Sequence, residues 1–164
     1  MIPHLIEATI DVFGTMLGRK VDTGDPIVGQ PPPRTNVVST VGFAGSNSGL
    51  VTLGCSSDAA REITASLLQL DPSEVDAELA DAMGEMTNMI AGQFRNRMSG
   101  DTGWALTTPF STIGSDFNTV YAAGTRRVVC PFSMGSHLFF VELVLQPEAR
   151  RPAGRGMLVT SAIQ

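Results

Sequence analysis

Residues 72–97, PSEVDAELADAMGEMTNMIAGQFRNR, read as one long helix with two unlike faces. A helix turns by about 100° per residue, so with Asp81 at 0° Glu85 falls near 40°, Asn88 near −20° and Gly92 near 20°. Three polar groups therefore line one narrow stripe. Leu79, Met83, Met86 and Ile90 lie on the opposite side, and Val75 and Phe94 extend it. Small residues flank the stripe: Ala77, Gly84, Ala91 and Gly92. A glycine inside a helix costs about 1 kcal/mol against alanine. Beside a polar stripe that cost makes sense if another protein must approach closely. Exposed carboxylates on a helix are ordinarily a solvated face. This stripe differs from an ion-pair ladder because it mixes an amide with carboxylates and has no lysine at i+4.

The helix is expected to begin at Ser73 as N-cap, with Asp76 three residues on as an imperfect capping box. Before it, SSDAAREITASLLQL (residues 56–70) predicts a helix capped by Ser56 or Ser57 that packs Ala60, Ile63, Leu67 and Leu70 inward. Residues 35–44 and 49–55 read as an antiparallel pair around the turn GSNSG. Residues 2–18 read as an amphipathic helix with Ile2, Leu5, Ile6, Thr9, Val12, Phe13, Met16 and Leu17 on one side, stopped at Gly18. The proline- and glycine-rich DTGDPIVGQPPPRT that follows is expected to lack regular structure.

Downstream, Trp104–Thr108 predicts a short strand ending at Pro109. Phe110–Ile113 would continue it on a sheet edge, Gly114-Ser115-Asp116 would turn, and Val120–Ala123 would form another strand. Arg126–Phe132 and His137–Leu145 predict a hairpin. HLFFVELVL is apolar at almost every position, as expected for a central strand covered on both sides or with one face used in a dimer. The order of elements implies an α+β fold: a largely antiparallel sheet with an N-terminal helix and two central helices packed on it. Residues 1–146 form one domain, and residues 147–164 read as a loosely held tail.

At 164 residues the chain can bury a sizeable core, and 43% apolar with 16% charged residues is a globular balance. The net charge of −5, from 11 basic and 16 acidic residues, argues against nucleic acid and suits a partner with exposed lysine or arginine. No apolar run is long enough to span a membrane, and MIPHLIEATIDVF lacks the basic start of a signal peptide. Cys55 and Cys130 read as small core residues of a cytoplasmic protein. The two histidines, His4 and His137, lie far apart, and no HExxH, CxxC pair or other metal cluster occurs. GFAGSNSG has neither dinucleotide-binding nor P-loop spacing, and no GxSxG elbow is present. Any catalysis must use acids and amides, or chemistry borrowed from a partner.

At Asp81-x3-Glu85-x2-Asn88, followed by Pro109, the chain resembles the CheC/CheX/FliY family of chemotaxis phosphatases. GEMTNMIAGQF (residues 84–94) looks like the single-motif CheX branch, and the closing hairpin VVCPFSMGSHLFFVEL is similar to the end of that domain. Twenty residues separate Asn88 from Pro109, slightly fewer than the family spacing, and the loop Ser99–Gly103 could absorb the difference. The resemblance implies a CheY-like response regulator as partner and its aspartyl phosphate as substrate. The regulator would supply Mg²⁺, leaving this chain with no cofactor or metal of its own. Asn88 would position the attacking water, Glu85 would pair with the regulator's active-site lysine, and Asp81, Gly84 and Gly92 would serve docking. Pro109 is the family's structural proline. A homodimer is also implied. The alternative is a non-catalytic module of the same fold, binding a response regulator or flagellar-switch component.

Overall fold

The computed structural model describes residues 1–45, 47–98, 103–117 and 119–146. Among these residues are three helices, α1 (Ile2–Leu17), α2 (Ser57–Leu68) and α3 (Leu79–Arg97). The strands are β1 (Asp22–Thr23), β2 (Ile27–Val28), β3 (Thr35–Ala44), β4 (Gly49–Cys55), β5 (Ala105–Leu106), β6 (Phe110–Phe117), β7 (Arg126–Met134) and β8 (His137–Leu145). All pairings are antiparallel, in the order β1-β7-β8-β4-β3-β5, with β2 also on β7 and β6 also on β3. This is the expected α+β architecture.

The pleat decides which residues meet the helices. Val37, Cys55, Phe139 and Phe132 stand in register across four strands, as do Val41, Val51, Leu143 and Val128. Side chains alternate between sheet faces, so these rows share one face. They join Leu5, Phe13, Ile63, Met83, Met86, Ile90 and Phe94 in one core. Phe13 stacks on Phe139 with ring centroids 4.6 Å apart, which pins α1 to β8. Phe43 packs between Trp104 and Phe94 at 4.7 and 6.5 Å, which seats α3 on β3. Arg97, near the end of α3, pairs with Glu7 and Asp11 of α1. α1 ends at Gly18 with φ +62°, a conformation that suits glycine.

β8 lies between β7 and β4, and Phe139 through Val144 are all buried. The apolar run is therefore that of a central strand covered on both sides within one chain. The second face holds an ionic cluster. Glu142 is 0% exposed. Arg127 donates from Nε to its carboxylate at 2.7 Å, and Tyr121 donates its hydroxyl at 3.3 Å. The guanidinium lies 5.0 Å above the Tyr121 ring. These contacts fasten the segment before β7 over the sheet.

Several sequence expectations are corrected. The long helix begins at Leu79, not near Ser73. The Asp71 carboxylate accepts from the Ser73 N–H at 2.9 Å and from its hydroxyl at 2.6 Å. That local turn competes with helix and displaces the start. Residues 72–78 are turns and bends, although Val75 is buried as expected. The loop after α1 contributes β1 and β2, because extended backbone beside β7 finds partners there whatever its proline content. Gly114, Ser115 and Asp116 belong to β6, where a register shift and Asp116 at φ +50° absorb the irregularity expected to be a turn. Val120–Ala123 is loop. Leu70 is 46% exposed rather than packed inward, and Met16 is 45% exposed despite fitting the apolar period of α1. The 147–164 tail lies outside the described residues. Among the described residues no helix is long and apolar enough to cross a membrane.

Candidate functional site

α3 places the stripe as the periodicity requires. Its buried residues include Leu79, Met83, Met86, Ile90 and Phe94, all on the sheet side. Asp81 and Glu85 are exposed, and Asn88 and Gly92 are half-buried. Asp81 lies in the first turn and Arg95 and Arg97 in the last, so charges of both signs suit the helix dipole. Among the described residues the side chains of Asp81, Glu85 and Asn88 have no hydrogen-bond or ion-pair partner. Their polar atoms face outward and remain available to another molecule.

One flank of the stripe is built by β6. The Ser111 hydroxyl donates to the Ala80 carbonyl at 2.8 Å, latching the edge strand to the first turn of α3. A Cβ at Gly84 would stand 3.5 Å from Cβ and Cγ of Pro109 and 3.7 Å from Ser111 Oγ. Gly84 is buried, and a Cβ there would make an ordinary contact with the chain's own proline. Pro109, the distant member of the motif, is thereby set beside the Asp81–Asn88 line. Gly92 differs, because nothing lies within 4 Å of a Cβ built there. Sequence reasoning missed Ser111; no periodicity marks it, and only its place two residues beyond Pro109 on the same edge hinted at a shared function. Gly84→Leu is expected to destabilise the fold by about 1–3 kcal/mol through overpacking against Pro109, with Gly84→Ala nearly silent, as read from urea unfolding.

Other chemistry is remote from this helix face. Burial pushes the Cys55 thiol up to about 12 and that of Cys130 to about 11, so both are un-ionised at neutral pH and poor nucleophiles. Among the described residues no three His, Cys, Asp or Glu side chains converge to hold a metal ion. A cavity of about 830 Å³ lies away from α3, lined by residues such as Pro31, Pro33, Val129 and Phe140, and contains none of the stripe residues.

Solved structures with this architecture define the class. A chemotaxis protein CheX from Desulfovibrio desulfuricans superposes with a TM-score of 0.79 and 26% identity, covering 88% of this chain and 97% of that one. A putative chemotaxis protein from Desulfovibrio vulgaris Hildenborough gives 0.80 and 25%, over 88% and 96%. The CheX–CheY–BeF3–Mg²⁺ complex from Borrelia burgdorferi gives 0.70 and 22%, over 89% and 97%, a likeness of fold. No individually curated protein matches the chain. Residues 37–133, more than half of the sequence, match the family model of the chemotaxis phosphatase CheX. The chain belongs to the CheX family.

Proposed function

We propose that the protein is a cytoplasmic phosphatase of a phosphorylated CheY-like response regulator, acting through Glu85 and Asn88. The observation that carries this reading is the outward projection of both side chains, unpartnered within the described chain, from one stripe of a helix anchored at both ends. Membership of the CheX family and the Borrelia burgdorferi complex of a CheX with CheY support the choice of partner. The regulator brings the aspartyl phosphate and its Mg²⁺. Phosphoryl transfer to water asks little covalent chemistry of the catalyst, so placing the water in line is the main task. The Asn88 amide offers an acceptor and a donor and can hold that water in one orientation. The Glu85 carboxylate suits a lysine on the partner, a charge-assisted contact that fixes register. Asp81, one turn earlier, would orient docking.

The test is phosphate release from a panel of phosphorylated response regulators, with and without the protein. Acceleration with one regulator identifies the substrate. Saturable binding without acceleration would support the non-catalytic module instead. Glu85→Ala is expected to weaken regulator binding and to slow turnover, each by about tenfold, because it removes a contact that also sets the register. A change in neither, measured by titration and steady-state kinetics, would remove Glu85 from the mechanism. The same assay on residues 1–146 tests our placement of the functional domain, since among the described residues the last strand ends at Leu145 and the Gln146 N–H donates to the Ser48 carbonyl at 2.9 Å. The homodimer remains a proposal from family resemblance, tested by sedimentation of the full chain.

A further inference from the structure

Beside the stripe, on the side away from Pro109, α3 and α1 enclose a groove of about 260 Å³. Val12, Met16 and Met89 give it an apolar wall beside Gly92, and Thr15, Gln93 and Asn96 a polar one. With Asp81 at 0°, Met89 falls near 80° and Asn96 near 60°, the side toward which Glu85 leans. A body seated on Glu85 and Asn88 must overhang this groove. Two observations indicate that the groove is meant to be filled. Met16 is 45% exposed, above Ile10 at 39% and every other long apolar residue of α1. Gly92 sits in a helix interior with nothing within 4 Å of a Cβ position, so no packing inside the chain accounts for the missing side chain. The volume falls below the few hundred Å³ typical of small-molecule sites and suits a protruding side chain. Thioethers are unbranched and polarizable, and adapt to an inserted apolar group.

We propose that this groove is the specificity pocket of the docking surface, receiving one apolar side chain from the response regulator whose phosphate reaches Asn88. The inference rests on the phosphatase reading above and adds to it the element that chooses among regulators. Glu85 and Asn88 recognise features common to phosphorylated regulators, a lysine and an in-line water. The groove reads a surface residue that can differ between them. Charge does not serve that purpose here, because Asp11 on its rim is already paired with Arg97.

The experiment uses the full chain and the regulator singled out by the phosphate-release panel, activated with beryllofluoride and Mg²⁺ for binding and phosphorylated for turnover. Met16→Ala is expected to raise Kd and KM about tenfold while kcat changes less than twofold, as loss of partly buried apolar contact predicts. Met16→Leu should restore most of the affinity. Gly92→Leu, whose Cβ meets nothing within 4 Å, adds a side chain to the groove lining and should weaken binding at least as much. Thermal melting of each variant checks that the fold is intact. Unchanged Kd in both Met16→Ala and Gly92→Leu, with turnover still dependent on Asn88, would overturn the specificity pocket and leave the phosphatase reading standing. Failure of the wild-type chain to bind any regulator would overturn both.

Discussion

Asn88→Ala is expected to reduce accelerated phosphate release by about a hundredfold or more while regulator affinity stays within about twofold of wild type. The reasoning is geometric. The Asn88 side chain projects from the middle of α3, between a first turn latched by Ser111 and a last turn held to α1 by Arg97. It is half-buried and has no partner within the described chain, so its amide is not diverted by a neighbour and remains available to a water. In the docked complex a water on that amide must lie in line with the phosphate, and misplacing a reacting group by an ångström costs on the order of a hundredfold. Alanine keeps the helix and the docking contacts but loses the acceptor and donor. The measurement is single-turnover phosphate release beside equilibrium binding of the same variant. Full activity in Asn88→Ala would sink the mechanism; equal loss of binding and turnover would make Asn88 a docking residue.

Arg127→Met is expected to lower folding stability by about 3–5 kcal/mol at neutral pH, more than substitutions on the exposed stripe. Glu142 is fully buried in the central strand, and Arg127 is its cation. Removing that cation leaves a carboxylate stranded in the interior. Burial holds the Glu142 carboxyl above its ordinary range, against the opposing pull of Arg127 and the Tyr121 hydroxyl. A raised folded value means that the group's contribution to stability is complete below the unfolded carboxyl value, about 4.3, and is lost as pH rises through the folded value. Methionine at 127 raises the folded value further. The deficit of the variant should therefore be largest at neutral pH and shrink toward acid, as measured by urea unfolding at several pH values. Arg127→Met combined with Glu142→Leu should recover most of the loss, since an apolar pair can replace a buried ion pair at little cost. A deficit independent of pH, with no recovery in the double variant, would mean that Arg127 acts through packing alone.

The strands β3, β4, β7 and β8 were legible because alternation and turn residues act over a few neighbours. β3 and β4 coincide with their expected spans. α3 was legible over its interior and not at its start, where the Asp71–Ser73 turn prevailed over the capping box. Of the candidate site residues, Asp81, Glu85, Asn88 and Gly92 lie along the outward stripe that arithmetic on a helix requires. Gly84 lies buried beside Pro109, a neighbour far away in sequence that helical periodicity does not reveal. Met16 was misread for a related reason: periodicity assigns a residue to a helix face but does not say whether another element covers that face.

The sequence by itself determined the α+β class, the polar stripe and the likeness to the CheX family, because helical and strand periods and a fixed spacing along one helix are local properties of the chain. Only the tertiary structure decided that Pro109 and Ser111 brace α3 from one side, that a groove opens beside Gly92 on the other, and that a lone glutamate in an apolar strand meets its arginine across the sheet. Those contacts depend on strand order and register, which are set by the packing of the whole core and leave no mark at any one position in the sequence.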